Sequence, residues 1–310
     1  MRPDRRRADK IKGGTFAAVI RAYMTSAKFA SLAPSSRRSY SYLLGLAERP
    51  DTLGAVPVDI IRPAMVQAFL DGLADRPGQQ RVARTALKAV ERWAIVRDMI
   101  AYPICTGTEA AGPGDGHEPW TEDQVALAER CAKPHLARVI TLASNTGQRG
   151  SDLVKMRWSD LEDYEGRPGI NVAQQKTGVR IWVPLTQDLM RAIASWERRP
   201  TFILLKEDGL PWTRDQLSNQ WLKARDRSPA LAPLKAAGLV LHGLRATAVV
   251  RLRRAGATTL QIASMVGMSE LMVTRYCRLS VQRENAIAAV LHLDRTKGER
   301  PKSKPLISTE

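Results

Sequence analysis

Cysteine is scarce in this 310-residue chain, and its three copies, Cys105, Cys131 and Cys277, lie far apart with no CxxC pair. A disulfide framework and a cysteine-based zinc site are therefore not expected. The histidines, at 117, 135, 242 and 292, are too scattered to suggest a metal cluster. No apolar run approaches the ~20 residues that a membrane span needs. The first residues, MRPDRRRADKIKGG, carry charge with no hydrophobic core behind it, so they do not read as a secretory signal. These absences describe a reduced, cytoplasmic protein.

Acid is also in short supply. Asp and Glu number 31 against 48 Lys and Arg, a formal charge of +17 with a pI of about 10.3. That excess steers the chain toward polyanions and makes binding salt-dependent. Nucleic acid is the better expectation and a membrane surface the lesser one. Hydrophobic content of 44% and charged content of 25% are those of a globular protein. The length suffices for two domains, each with its own core.

Residues 1–13 read as a basic leader. Helical periodicity starts at Phe16, Val19, Ile20 and Tyr23. Ser35 or Ser36 can cap a second helix, with Arg37 and Arg38 in its first turn. Cations there oppose the helix dipole, and a phosphate backbone would reward them. A third helix begins at Pro63. A fourth carries an apolar stripe of Val82, Ala86, Leu87, Val90, Trp93 and Ala94 beside a basic stripe of Arg81, Arg84 and Lys88. Residues 14–102 thus form a small helical domain, with these five cations as its candidates for DNA contact. Residues 103–118, rich in Gly, Pro and Ala, read as a linker. A second domain covers 119–296, and 297–310 is a tail.

In the second domain, Thr121 is an expected N-cap. The helix of PHLARVITLASNTG ends at Gly147, followed by Arg149 and Asp152. Residues 169–185 switch to period two, a hairpin with Lys176-Thr177-Gly178 at its turn. A lysine at such a tip is free to reach outward, although most lysines so placed are simply solvated. WTRDQLSNQWLKARDR is helical, RSPALAPLKAAG is loop-like, and a final amphipathic helix follows Arg278.

The most informative stretch is Leu241–Arg278. From His242 to Arg283 there are seven arginines and one acid, Glu270. His242 and Arg245 are three apart and share a helix face. Ala263, Gly267 and Val273 have helix-turn-helix spacing. Tyr276 lies near the end.

The order Arg149, Lys176, His242, Arg245, Tyr276 resembles that of the tyrosine recombinase (phage integrase) family. The segments that carry the likeness are TGQRGSDLVKMRWSD (146–160), QQKTGVRIWVPL (174–185), HGLRATA (242–248) and VGMSELMVTRY (266–276). Each is weak alone; four in order are specific. The resemblance covers 119–295, and the helical first part is similar to that family's core-binding domain more loosely. It implies a mainly α fold with a small antiparallel β-sheet: a helical core-binding domain and an α+β catalytic domain.

The resemblance also implies a chemistry. Tyr276 would be the nucleophile, forming a 3′-phosphotyrosyl link. Arg149 and Arg245 would clamp the phosphate oxygens, and Lys176 would protonate the leaving 5′-oxygen. His242 would shuttle a proton, and Asp152 would hold Arg149. Met268 stands where the family usually has His or Trp and cannot donate a hydrogen bond. No metal, ATP or other cofactor is implied. The implied partners are duplex DNA, further copies of the chain in a tetramer on two duplexes, and accessory DNA-bending proteins. A helix near 284–294 would dock on a neighbouring copy. The competing readings are a helix-turn-helix regulator without catalysis and a type IB topoisomerase-like strand transferase.

Overall fold

The structure, a computed structural model, describes residues 14–112, 114, 116–199, 201–280, 286–287, 289–291 and 293–294. The expected leader, the tail and much of the final amphipathic helix lie outside the described residues. The chain divides into two compact units, Met1–Gly114 and Asp115–Glu310. The described residues are mostly helical, with one three-stranded antiparallel sheet.

The first unit holds α1 (Phe16–Met24), α2 (Ala27–Ala30), α3 (Pro34–Ala47), α4 (Pro63–Asp71) and α5 (Pro77–Ile95). In α1, Phe16, Val19, Ile20 and Tyr23 are buried, one face at helical spacing. α3, α4 and α5 each place proline in the first turn, where its missing N–H has no partner to lose. This corrects the expected cap of α3. Ala33 is the N-cap, and Ser35 and Ser36 lie inside the first turn because Pro34 starts the helix one residue earlier. The core face of α5 is Ala83, Ala86, Leu87, Val90 and Ala94, while Val82 and Trp93 are half-buried.

The first part of the stretch read as a linker is fastened to this unit. Ile104 and Cys105 are buried in its core. The Cys105 N–H donates to the Glu91 carboxylate at 2.5 Å, and the Ala111 N–H to Gln80 Oε1 at 2.8 Å. A Gly/Pro-rich composition does not foretell such ties, because they depend on side chains from distant helices.

The second unit begins its helices with α6 (Glu122–Cys131), closed by a capping box of Thr121 and Gln124. α7 (Pro134–Thr146) ends at Gly147, whose φ of 65° is left-handed. The short α8 (Gly150–Leu153) follows. The sheet is β1 (Leu161–Tyr164), β2 (Arg167–Ala173) and β3 (Arg180–Pro184), in that order. Register pairs Ile170 with Val183 and Val172 with Ile181, which puts one apolar face inward. Val179 lies outside β3 and is exposed. β1, with its exposed polar side chains, has no alternating pattern to announce it.

Next come α9 (Gln187–Ser195) and α10 (Arg214–Arg227), the latter burying Leu217 and Trp221 against Trp120 and Trp212. The segment expected to be loop holds a 3-10 turn, Pro229–Leu231, and α11 (Ala232–Ala236). Leu231 and Leu234 are buried there, and both prolines fall in first turns, where they suit a helix start. Finally α12 (Gly243–Arg254), α13 (Thr259–Val266) and α14 (Glu270–Ser280) close around Val249, Ile262, Ala263, Val266 and Val273.

Gly147 is where these layers meet. A Cβ there would stand 3.1 Å from both the Ala248 and Val266 side chains, on a backbone that L-residues rarely adopt. Gly147→Ala is expected to destabilise the protein by about 1–3 kcal/mol. Urea unfolding should show a lower midpoint with an unchanged slope.

Candidate active site

Arg245 lies on the first turns of α12 and is 3% exposed. A buried guanidinium needs its N–H groups satisfied. Nη1 donates to the carbonyls of Gly147 at 2.6 Å and Val266 at 3.2 Å, and Nη2 to that of Gly267 at 3.5 Å. These carbonyls belong to the C-terminal ends of α7 and α13, both closed by left-handed glycines. Carbonyls at helix ends carry partial negative charge and suit a cation. The Tyr276 phenol stands close enough to Arg245 to act on its charge. Burial, then repulsion by Arg149, pulls the Arg245 pKa down to about 10, while Tyr276 and Asp152 oppose that fall. The guanidinium is still charged at neutral pH.

Arg149 is the N-cap residue of α8, and its side chain is about one-fifth exposed. It donates to Gln174 Oε1 at 3.0 Å. The nearest oxygen of Asp152 is 3.9 Å away, an ion pair too long for a hydrogen bond. Asp152 is buried, and its other oxygen accepts the Gln175 N–H at 2.9 Å. The direct partner of Arg149 is thus Gln174, while Asp152 supplies charge and anchors the hairpin.

Gln174 and Gln148 were not singled out by the sequence reading. Gln174 is 1% exposed and donates to Gln148 Oε1 and to the Val266 carbonyl, both at 2.9 Å. Gln148 donates to the carbonyls of Thr146 at 3.1 Å and Val266 at 3.3 Å. The Val266 carbonyl therefore accepts from Arg245, Gln174 and Gln148. Gly267 is needed for this approach, since a Cβ there would lie 2.3 Å from Gln174 Nε2.

Lys176 is exposed at the hairpin tip. Its hairpin neighbours reach the site. Thr177 Oγ1 donates to Gln174 Oε1 at 3.1 Å, and Gln174 holds Arg149. No contact of the Lys176 ammonium with Arg149, His242, Arg245 or Tyr276 occurs among the described residues.

His242 is the N-cap residue of α12. Its ring meets that of His117 edge to face, 5.1 Å between centroids. Partial burial, then the charges of His117, Arg245, Arg149 and Arg214, pulls its pKa down to about 4. Arg214, at the start of α10, and His117 are site residues missed in the sequence. Neither belongs to a motif, and only the tertiary fold brings them to His242.

Tyr276 and Met268 both pack, partly buried, on the small cluster around Val249 and Val273. The Met268 N–H returns to the Ala263 carbonyl at 3.2 Å, completing the turn after α13. The structure therefore joins Arg149, His242, Arg245 and Tyr276 in one cationic site and leaves Lys176 at its edge. Such a site can hold an anion of several oxygens next to a phenol. The five cations expected to contact DNA lie on α3 and α5. Arg37 and Arg38 are exposed. Arg81 lines a groove of about 310 Å³ with Ser35, Ser36 and Ser39. Arg84 is tied to Thr108 at 3.2 Å, and Lys88 is half-buried.

Residues 121–283 match the model of the phage integrase family. The integrase of Escherichia phage HK022 is 28% identical over 188 residues, 57% of this chain and 50% of that protein. The integrase of Escherichia phage lambda is 30% identical over 133 residues, 41% of this chain and 36% of the relative. The chain thus spans half or less of the length of these curated relatives. Among solved structures, a lambda integrase dimer bound to a COC′ core site superposes with a TM-score of 0.70. That match is 22% identical, covering 83% of this chain and 97% of the other. A Tn1549 transposon integrase in complex with circular intermediate DNA gives 0.62 at 16% identity, covering 84% and 94%. The mainly α fold with a small antiparallel sheet is the one these structures share.

The His242 environment sets a pH dependence. Its folded pKa, about 4, is below the ordinary 6.5, so between these values the unfolded chain binds more protons. Stability is then fully present above pH 6.5 and is lost as pH falls toward 4. Thermal unfolding followed across that window should show the midpoint dropping, and His242→Asn should flatten the drop.

Proposed function

The chain belongs to the phage integrase family, and on that premise we propose that it is a site-specific DNA recombinase that cuts and rejoins strands through a 3′-phosphotyrosyl intermediate. The observation that carries this reading is the convergence of the Tyr276 phenol and the buried guanidinium of Arg245, with Arg149 and His242 beside them. A regulator that only binds a groove has no use for a phenol aimed at a buried cation cluster.

The proposed step balances as follows. The Tyr276 Oη attacks the scissile phosphorus and loses its proton, and His242 is the proton shuttle. An O–P bond to tyrosine forms as the bond to the 5′-oxygen breaks. Lys176, at the mobile end of a hairpin side chain, donates the proton that leaves with the 5′-hydroxyl. Arg149 and Arg245 hold the non-bridging oxygens while the phosphorane carries extra charge. Their geometry is preset by Gln174 and by the two helix ends. The phosphodiester energy is kept in the tyrosyl link, so resealing needs no ATP. Side chains neutralise the phosphate, and no metal has a role in the step. The proposed partners are duplex DNA, contacted by Arg37, Arg38, Arg81, Arg84 and Lys88, and further copies of the chain. The solved lambda integrase tetramer bound to a Holliday junction supports a tetramer on two duplexes. Met268 offers no side-chain N–H, and turnover is slower for it.

With a nicked duplex substrate, the protein should give a covalent adduct on denaturing gels. Tyr276→Phe should abolish the adduct and leave DNA binding intact; an adduct that persisted would mean another nucleophile. Lys176→Ala should slow adduct formation by about 10²–10⁴-fold. A 5′-bridging phosphorothiolate, whose sulfur leaves without a proton, should restore most of that rate.

A further inference from the structure

The described segment just before α6 does more than lead into a helix. Residues 117–120 form a strap across the first turns of α12. The Trp120 N–H donates to Thr247 Oγ1 at 2.7 Å, and the same hydroxyl lies 3.2 Å from the Trp120 carbonyl. The Trp120 indole N–H donates to the Val240 carbonyl at 3.1 Å. Gly243 has no side chain where the strap crosses: a Cβ there would be 2.5 Å from the Glu118 carbonyl and 2.8 Å from the Trp120 indole nitrogen. Trp120 and Thr247 are buried, so the crossing is fixed. Its outer end carries His117, and the fixed crossing puts the His117 imidazole edge to face against that of His242.

We propose that His117 is a positioning residue that holds the His242 ring in place and in its neutral form for strand cleavage. The edge-to-face contact fixes the ring plane and covers part of it. The charged and titratable groups that face His242 are Arg245 on its own helix, Arg149 beside α8, Arg214 at the start of α10, and His117 itself. All act in one direction, against a positive charge on the His242 ring. After burial, His117 is the foremost of them. A neutral imidazole has a free lone pair to accept a proton or a hydrogen bond, whereas an imidazolium can only donate. The strap thus keeps a proton acceptor available in a site otherwise full of cations. The role rests on the recombinase reading only for its use in cleavage; the coupling between the two rings does not depend on it.

The test has two independent readouts on the full chain. NMR titration of the His242 ring, assigned by its loss in His242→Asn, should show a midpoint near 4 in the unmodified protein. His117→Phe keeps an aromatic ring and removes the charge, and His117→Ala removes both. The midpoint should rise by about one pH unit in the first and further in the second. On nicked duplex DNA, the acid limb of the adduct-formation profile should move up by the same interval. An unchanged midpoint in both variants would overturn the proposal. So would a rate loss equal at every pH, which would mark His117 as packing alone. If no adduct formed in any protein, the titration would still decide the coupling while the recombinase reading failed.

Discussion

A guanidinium buried between two helix ends is the constraint on which the second unit turns. Arg245 is 3% exposed, and an uncompensated charge at that depth would cost several kcal/mol. It is compensated by the carbonyls of Gly147, Val266 and Gly267, which terminate α7 and α13. A helix that ends in a left-handed glycine turns its chain away while its last carbonyls keep pointing along the axis. Two such ends converging on one cation explain why both glycines lack space for a methyl group. Without Arg245 the carbonyls of Gly147 and Gly267 would lose its N–H donors, while that of Val266 would keep Gln174 and Gln148. Arg245 would not stay buried without the three carbonyls.

The same geometry makes the site costly and therefore useful. Arg149, Arg245, Arg214 and His242 crowd together, and among the described residues Asp152 is the one buried carboxylate facing them, at 3.9 Å from Arg149. Gln174 and Gln148 stabilise this crowd without adding charge. A neutral amide serves as donor and acceptor at once, so it can order cations while leaving their field unspent. Had carboxylates done this work, the positive potential of the site would be cancelled from within. The DNA phosphate of the proposed reaction would relieve the repulsion among these cations.

Much of this was legible in the sequence because it depends on local chemistry. The proline start of α4, the Thr121 cap, the Gly147 stop and the period-two hairpin are settled by a few neighbouring residues. The motif residues Arg149, His242, Arg245 and Tyr276 could be picked out because a family resemblance ordered them. What escaped was set by distance in sequence. Gln174 meets Val266 across 92 positions, and its amide carries no periodic signal. His117 sits in a stretch whose composition reads as linker, yet Trp120 and Thr247 tie that stretch down across 127 positions. β1 was missed because its strand pairing comes from β2 and not from an alternating pattern of its own. The cap of α3 was misplaced for a local reason, since Pro34 takes the first helical position before either serine can act as cap.

The helix-turn-helix look of residues 258–278 follows from the same physics. In a groove-reading motif, the turn packs two helices and the second presents its outer face. Here the turn carbonyls of Val266 and Gly267 point back into the unit and are taken by Arg245 and Gln174. The second helix, α14, is anchored by Val273, which is 1% exposed in the cluster with Val249 and Ile262. Tyr276 follows Val273 by three residues and so lies on the same face. The residue that seals α14 to the core thereby directs the phenol inward, to the guanidinium whose position the turn has fixed. For the proposed cleavage, in which a phosphate is clamped and attacked, the spacing of phenol and guanidinium matters more than any outward-facing side chain of α14.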